Sequence, residues 1–393
     1  MNLAAKIGLS RVMVRLIGGH VGLHTAMAGM RMALPLLALR MGYGTAMAGI
    51  LMALCAVGQI AVALPAARLV ERCTLKSILI GCALVASVGI SLAALWPHLA
   101  VLCVSALASG CAMGVSLITM QRHVSSAAHG EQQLRQAFSW ISVAPSISVF
   151  IGTLAAGVMI DQSGFQGAFV MLALLPLATL GAAFLATEQP IALAGDGQRK
   201  IQASLWRNAP FRRLLMLNAL MTASWDLHAF MVPVIAHERG MSASAIGTLL
   251  SAFALAATLS RLALPVVVQR VREWTMIAGA LAMAAALFAV YPFLPSHLLM
   301  LACSFMLGVL LGGVQPTVMI LIHHITPPQR HGDAMATRFI MINASAISMP
   351  MLYGAAGGFV SVSGVFLAAA GVVGLGAALG FWSERNHSAD GPD

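Results

Sequence analysis

The sequence predicts an all-α polytopic membrane protein, with twelve spanning helices in two six-helix halves related by a pseudo-two-fold axis along the membrane normal. Three observations carry that prediction. The 393 residues are 60% hydrophobic and 9% charged, with a mean hydropathy of +0.90, against about 25% charged residues in soluble domains. Apolar stretches recur from end to end, each of roughly 20 residues or more and so long enough to cross a hydrocarbon core of ~30 Å. The positions of Gly and Pro also repeat at a fixed offset along the chain.

The spans fall at 16–39, 43–69, 75–96, 98–121, 134–160, 164–187, 211–237, 242–268, 275–294, 297–322, 334–357 and 359–382. Segments in lipid must satisfy their own backbone hydrogen bonds, so each is expected to be helical. A β-barrel would need short segments of alternating polarity, and these are absent. The basic start, Met1 to Arg15, resembles the n-region of a signal peptide. The apolar run behind it is too long for an h-region and shows no small-residue cleavage site, so it is expected to stay as the first helix.

The net charge of +10 has a topological cause rather than a nucleic-acid partner. With the N-terminus inside, 17 of the 22 Lys and Arg residues lie on the cytoplasmic face. Arg40 and Arg239 lie outside, and Arg31, Arg261 and Arg338 lie within spans. That asymmetry places both termini in the cytoplasm, across a cytoplasmic membrane. The six cysteines are scattered along the helices without a CxxC pair and are expected to be small core residues.

At an offset of 198, Pro35, Gly42, Gly49, Arg72, Gly81, Pro97, Gly110 and Gly114 match Pro233, Gly240, Gly247, Arg270, Gly279, Pro295, Gly308 and Gly312 without a gap. Later the offset becomes 202, where Gly130 matches Gly332 and Gly152 matches Gly354. Six spans per half keep the halves in the same orientation, which makes the repeat parallel. The expected division is a first half at 1–188, a polar cytoplasmic linker at 189–209, and a second half with a short tail at 210–393.

Twelve helices, the six-plus-six duplication and a cytoplasmic central linker resemble the major facilitator superfamily over nearly the whole chain. The family's G-x-x-x-D-R-x-G-x-[RK] turn is similar to ARLVERCTLK at 67–76. There Glu71 stands for the Asp, Arg72 and Lys76 match, and Ala67 and Thr74 replace the glycines. In the second half, PVVVQRVREW at 265–274 keeps Arg270. The resemblance implies a gating role for these four residues; a plain topology anchor is the other reading. SVFIGTLAAG at 148–157 looks like the family's antiporter signature, with Gly152 and Gly157 in place but Thr153 for the Pro and Ala156 for a Gly. The helix-4 arginine of proton-coupled exporters would fall near Ala106 and is missing.

Only one of the twelve acidic residues lies deep in a span. Asp226 follows Phe211 by fifteen residues, about 22 Å along a helix. A carboxylate at that depth costs about 3 kcal/mol on insertion scales, so it should face a wet cavity, pair with a cation or be protonated. His20, His24, Met27 and Arg31 share one stripe of helix 1. The two histidines also fit metal-ligand spacing, but the sequence sets no third ligand, so no metal or other cofactor is expected. Arg261 is deep on helix 8 and would reach Asp226 on the preceding helix. Arg338 is near enough to the cytoplasmic end of helix 11 to snorkel there. Gln315 lies beside Pro316, which tends to kink helix 10. By resemblance, helices 1, 4, 7 and 10 line the central path. That places Arg31, Asp226 and Gln315 there; with the other deep polar residues, the expected substrate or proton pathway is Asp226, Arg31, His24, His20, His228, Arg261, Gln315 and Arg338.

No Walker A sequence and no hydrolytic or redox constellation occurs. The resemblance implies a secondary active transporter rather than an enzyme, a monomer in the bilayer that moves a small organic solute by alternating access. Proton-coupled efflux is the first expectation. Uptake of a nutrient or metal chelate, as an anionic or zwitterionic solute, is the alternative, because the deep charges sum to positive. A sensor that has lost transport is the third.

Overall fold

A computed structural model describes residues 11–62, 65, 73–127, 131–184, 208–267, 272–327 and 330–389. Among the described residues twelve α-helices follow one another: α1 Arg11–Arg40, α2 Thr45–Ala61, α3 Leu75–Leu95, α4 Leu99–Ala127, α5 Glu131–Leu174, α6 Pro176–Phe184, α7 Ala209–Glu238, α8 Ala243–Val267, α9 Glu273–Val290, α10 His297–Ile325, α11 His331–Phe359 and α12 Val362–Ala389. No strand occurs among the described residues. Helix α5 turns at Gly164 (φ 71°), so its second part and α6 together form the sixth span. The predicted fifth and sixth spans are thus joined by a glycine in the left-handed region instead of an open loop.

Nine runs among the described residues are long and apolar enough to cross a membrane. Dividing the run Ala144–Phe184 at Gly164 and adding α1 and α2 is consistent with twelve passes. Helix α1 has the length at 30 residues, but His20, His24 and Arg31 dilute its apolar character. The exterior is apolar: Leu298 is 72% exposed and Leu375 70%, as expected of surface that meets acyl chains rather than water.

Contacts divide the chain into two compact units. The first is Met1–Gly195 with Gly240–Ser251, and the second is Asp196–Arg239 with Ala252–Asp393. The first turns of α8 group with the first unit for local reasons. The Asp161 carboxylate, on α5, accepts from Ala243 N (2.9 Å) and Ser244 N (2.7 Å), capping the α8 N-terminus. Thr153 Oγ1 and Ser251 Oγ lie 2.9 Å apart, and Ser251 Oγ donates to the Phe150 carbonyl. Gly157 and Gly247 leave room for backbone against backbone along this seam.

The repeat detected in the sequence recurs as repeated contacts. In the first unit Gly110 and Gly114 of α4 press on the backbones of Cys55 and Gln59 of α2. In the second unit Gly308 and Gly312 of α10 press on Phe253 and Ala257 of α8, the positions 198 residues on. Ser105 Oγ donates to the Gly89 carbonyl, and Cys303 Sγ, its equivalent, lies 3.8 Å from the Leu287 carbonyl. Gly42 (φ 85°) and Gly240 (φ 68°) end α1 and α7 at matching positions, a left-handed turn that other residues rarely adopt.

Candidate functional site

Helix α7 is the most enclosed of the candidate spans, 78% buried along its apolar window, and it carries the deep carboxylate. Asp226 is 4% exposed and accepts from Ser345 Oγ of α11 at 2.8 Å. Eight residues earlier on α7, two turns back, Asn218 is fully buried and its Oδ1 accepts from Arg338 Nε at 3.1 Å. Arg338 Nη2 also donates to Gln315 Oε1 on α10. Farther along, the Tyr353 hydroxyl of α11 donates to the Ala223 carbonyl at 3.1 Å. The α7–α11 seam is therefore a series of polar rungs, with Arg338 and Ser345 seven residues apart on one face of α11.

Arg338 is buried, and its planar fork bonds to two amide oxygens, because a guanidinium needs acceptors for its donors wherever water is excluded. Arg338 and Gln315, chosen from sequence, are thus brought together. The remaining donors of this group are notable: Asn218 Nδ2 is buried and has no hydrogen-bond partner.

A second cluster lies on α7, α8, α9 and α10. The His228 ring stacks on Phe253 (centroids 4.1 Å, 18°), and its Nε2 lies 3.0 Å from Ser304 Oγ. Ser304 Oγ is in turn 2.8 Å from the Tyr291 hydroxyl, where α9 passes into a short 3₁₀ turn, Tyr291–Phe293. Trp225 meets Phe253 edge-on at 4.6 Å. Arg261 lies over the Trp225 ring at 5.7 Å, with Nε 3.4 Å from the Gly312 carbonyl. His228 therefore belongs to a hydrogen-bonded aromatic cluster, and the Arg261 guanidinium packs against it.

In the first unit His20 Nδ1 lies 3.0 Å from Ser116 Oγ of α4. The His20 and His24 rings meet edge-on at 5.9 Å. His20 Nε2 and His24 Nδ1 are buried without a hydrogen-bond partner. Arg31, two turns from His24 on the same stripe, is half-buried. Of the gating residues, Lys76 lies over the Phe184 ring at 5.2 Å, while Glu71, Arg72 and Arg270 lie outside the described residues. The antiporter-like segment of α5 uses Gly152 to approach the backbone of α1 at Thr25 and Gly29, and Gly157 to approach α8.

Sequence reasoning missed Asn218, Ser345, Tyr353, Trp225 and Phe253. Asn218 carried a usable signal, since the 198 offset lays it on His20. Both are polar residues at one level of two repeated helices, and both bond to another helix of their own unit. Ser345 and Phe253 carried none: a serine in a spanning helix is common, and an aromatic in an apolar run is lost among its neighbours.

The sequence model of the Major Facilitator Superfamily matches residues 16–221 and 214–392. No curated protein is similar enough to count as a match. Among solved structures, the chain is similar to a POT family transporter in complex with a thioalcohol-conjugated peptide (TM-score 0.78, 12% identity, 96% of this chain and 97% of that one). It is similar to the nucleoside transporter NupG (0.74, 15%, 95% and 98%). It is also similar to a bacterial homolog of the human lysosomal transporter Spinster, inward-facing and occupied (0.75, 13%, 95% and 96%). At these identities the structures share the fold. With the family model spanning nearly every helix, the chain belongs to the major facilitator superfamily, and it is a membrane transporter of that type.

Proposed function

We propose that the protein is a secondary active transporter that moves a small organic solute by alternating access, with proton-coupled efflux carried by Asp226. The observation behind this reading is a carboxylate 4% exposed in the middle of a spanning helix, bonded by the Ser345 hydroxyl of another helix. Such a group is costly to keep ionised in lipid and gains from taking up a proton when its surroundings dry. Ser345 belongs to a different helix, so a change in α7–α11 packing alters the carboxylate's environment, and that links protonation to conformation. Arg31, His20, His24, His228, Arg261, Gln315 and Arg338 would share the pathway with Asp226, and Lys76, with Glu71, Arg72 and Arg270, the cytoplasmic gate. The protein would act as a monomer in the cytoplasmic membrane, both termini inside.

Proteoliposomes loaded with a pH-sensitive dye and exposed in turn to a panel of organic solutes test this. A transported solute should move protons through the wild type, and Asp226→Asn should abolish that proton movement. Unchanged proton-linked flux in Asp226→Asn would sink the coupling role. Flux driven only by an inward proton gradient with the solute moving inward would reverse the direction.

A further inference from the structure

The Asn218–Gln315–Arg338 cluster has a composition that a purely structural guanidinium does not need. Among the described residues Arg338 has no carboxylate partner; its bonds go to the amide oxygens of Asn218 and Gln315. Two neutral acceptors satisfy two of five donors and leave the charge in place. The oxygen of Asn218 is committed to Arg338, so its NH₂ is the free end, and Nδ2 is buried without a partner. A buried amide donor left unpaired costs roughly as much as a lost hydrogen bond, and a buried cation without a counterion costs more. Both costs fall together if one group supplies a negative charge and acceptor lone pairs at the same place.

We infer that Arg338 and Asn218 form the anchor for the carboxylate of an organic monoanion, with Gln315 holding the fork in register from the neighbouring helix. The class follows from the donor set. The cluster offers one fixed positive charge and a planar guanidinium, which match one planar carboxylate in a two-bond grip. A phosphate dianion would bring a second negative charge that no cation of the cluster meets. Gln315 is half-buried, whereas Asn218 is fully buried. This inference rests on the transport reading and narrows its solute to organic carboxylates, whichever way the solute moves.

The test reads binding without flux, so it fails or succeeds separately from proton coupling. The purified protein is unfolded thermally with benzoate, with benzamide as its neutral isostere, and with phenyl phosphate. At about 10 mM, benzoate should raise the midpoint of the wild type about 1–2 °C more than benzamide does, the shift for a ligand near ten times its Kd. Asn218→Asp puts a carboxylate of the protein on Arg338. That variant should fold at least as well as the wild type and lose the benzoate-specific shift. Arg338→Lys keeps the charge without the fork and should reduce the shift. Equal shifts from benzoate and benzamide in the wild type overturn the inference, as does a benzoate-specific shift that survives in Asn218→Asp. A larger shift from phenyl phosphate than from benzoate overturns the monoanion class.

Discussion

The duplicated glycines make a prediction with an internal control. Gly114 and Gly312 are equivalent, as are Gly81 and Gly279, and all four lie in spanning helices. A Cβ on Gly114 would lie 2.6 Å from the Gln59 carbonyl oxygen and 2.9 Å from its Cα. A Cβ on Gly312 would lie 2.5 Å from Ala257 Cα and 2.7 Å from its carbonyl oxygen. Gly81 and Gly279 have nothing within 4 Å. Carbon contacts become favourable near 3.5 Å, so each crowded pair of helices must part by about 0.8–1 Å. Backbone cannot swing aside as a side chain can. Overpacking of this kind costs about 1–3 kcal/mol, and the better helix propensity of Ala offsets up to about 1 kcal/mol of it. The net expectation for Gly114→Ala and for Gly312→Ala is a loss of about 1–2 kcal/mol. At about 2.1 cal/mol/K of unfolding entropy per residue, that lowers the midpoint by about 1–3 °C. Gly81→Ala and Gly279→Ala should leave it unchanged or raise it slightly. Tryptophan fluorescence during thermal unfolding in detergent measures all four. Equal midpoints for the crowded and open pairs would refute the view that these glycines set the helix spacing, and a large effect at only one of Gly114 and Gly312 would refute the structural equivalence of the two repeats.

Two further predictions come from single hydrogen-bonded groups. Ser304→Ala strands both His228 Nε2 and the Tyr291 hydroxyl in a buried site, so it should cost about 2–3 kcal/mol, whereas Tyr291→Phe removes one partner and should cost about 1 kcal/mol; the reverse order in thermal unfolding would contradict the chain His228–Ser304–Tyr291. Asp161→Asn loses one of the two acceptors that cap α8 and should weaken the cap by about 1–2 kcal/mol. In protein carrying Ser244→Cys, the additional Asp161→Asn change should therefore speed maleimide labelling about tenfold, and an unchanged rate would show that the cap does not hold this end of the seam.

The amino-acid sequence by itself determined the class, and it predicted twelve spans in two repeated halves, with which the structure is consistent. Lipid allows few solutions: a run of apolar residues must close its own hydrogen bonds as a helix, and its length must match the bilayer. The repeated glycines are equally legible, since Gly114 and Gly312 match at one offset; that they lie over Gln59 and Ala257, themselves 198 residues apart, came from the structure. Asp226 stood out for the same reason, as the one acid in a depth where acids are costly.

What the tertiary structure alone decided is which partner each deep polar group found. Arg338 and Asp226 are both within spans, and charge alone would invite them together; the fold instead gives Arg338 to Asn218 and Gln315 and gives Ser345 to Asp226. His228, two residues from Asp226 in sequence, points to Ser304 and Phe253 in a separate cluster. Successive residues on a helix are turned by about 100°, so neighbours in the chain face different helices, and the identity of those helices is set by packing between residues 23 to 120 positions apart in the chain. Sequence spacing fixes the stripe on which a side chain stands; only the assembled bundle fixes what stands opposite.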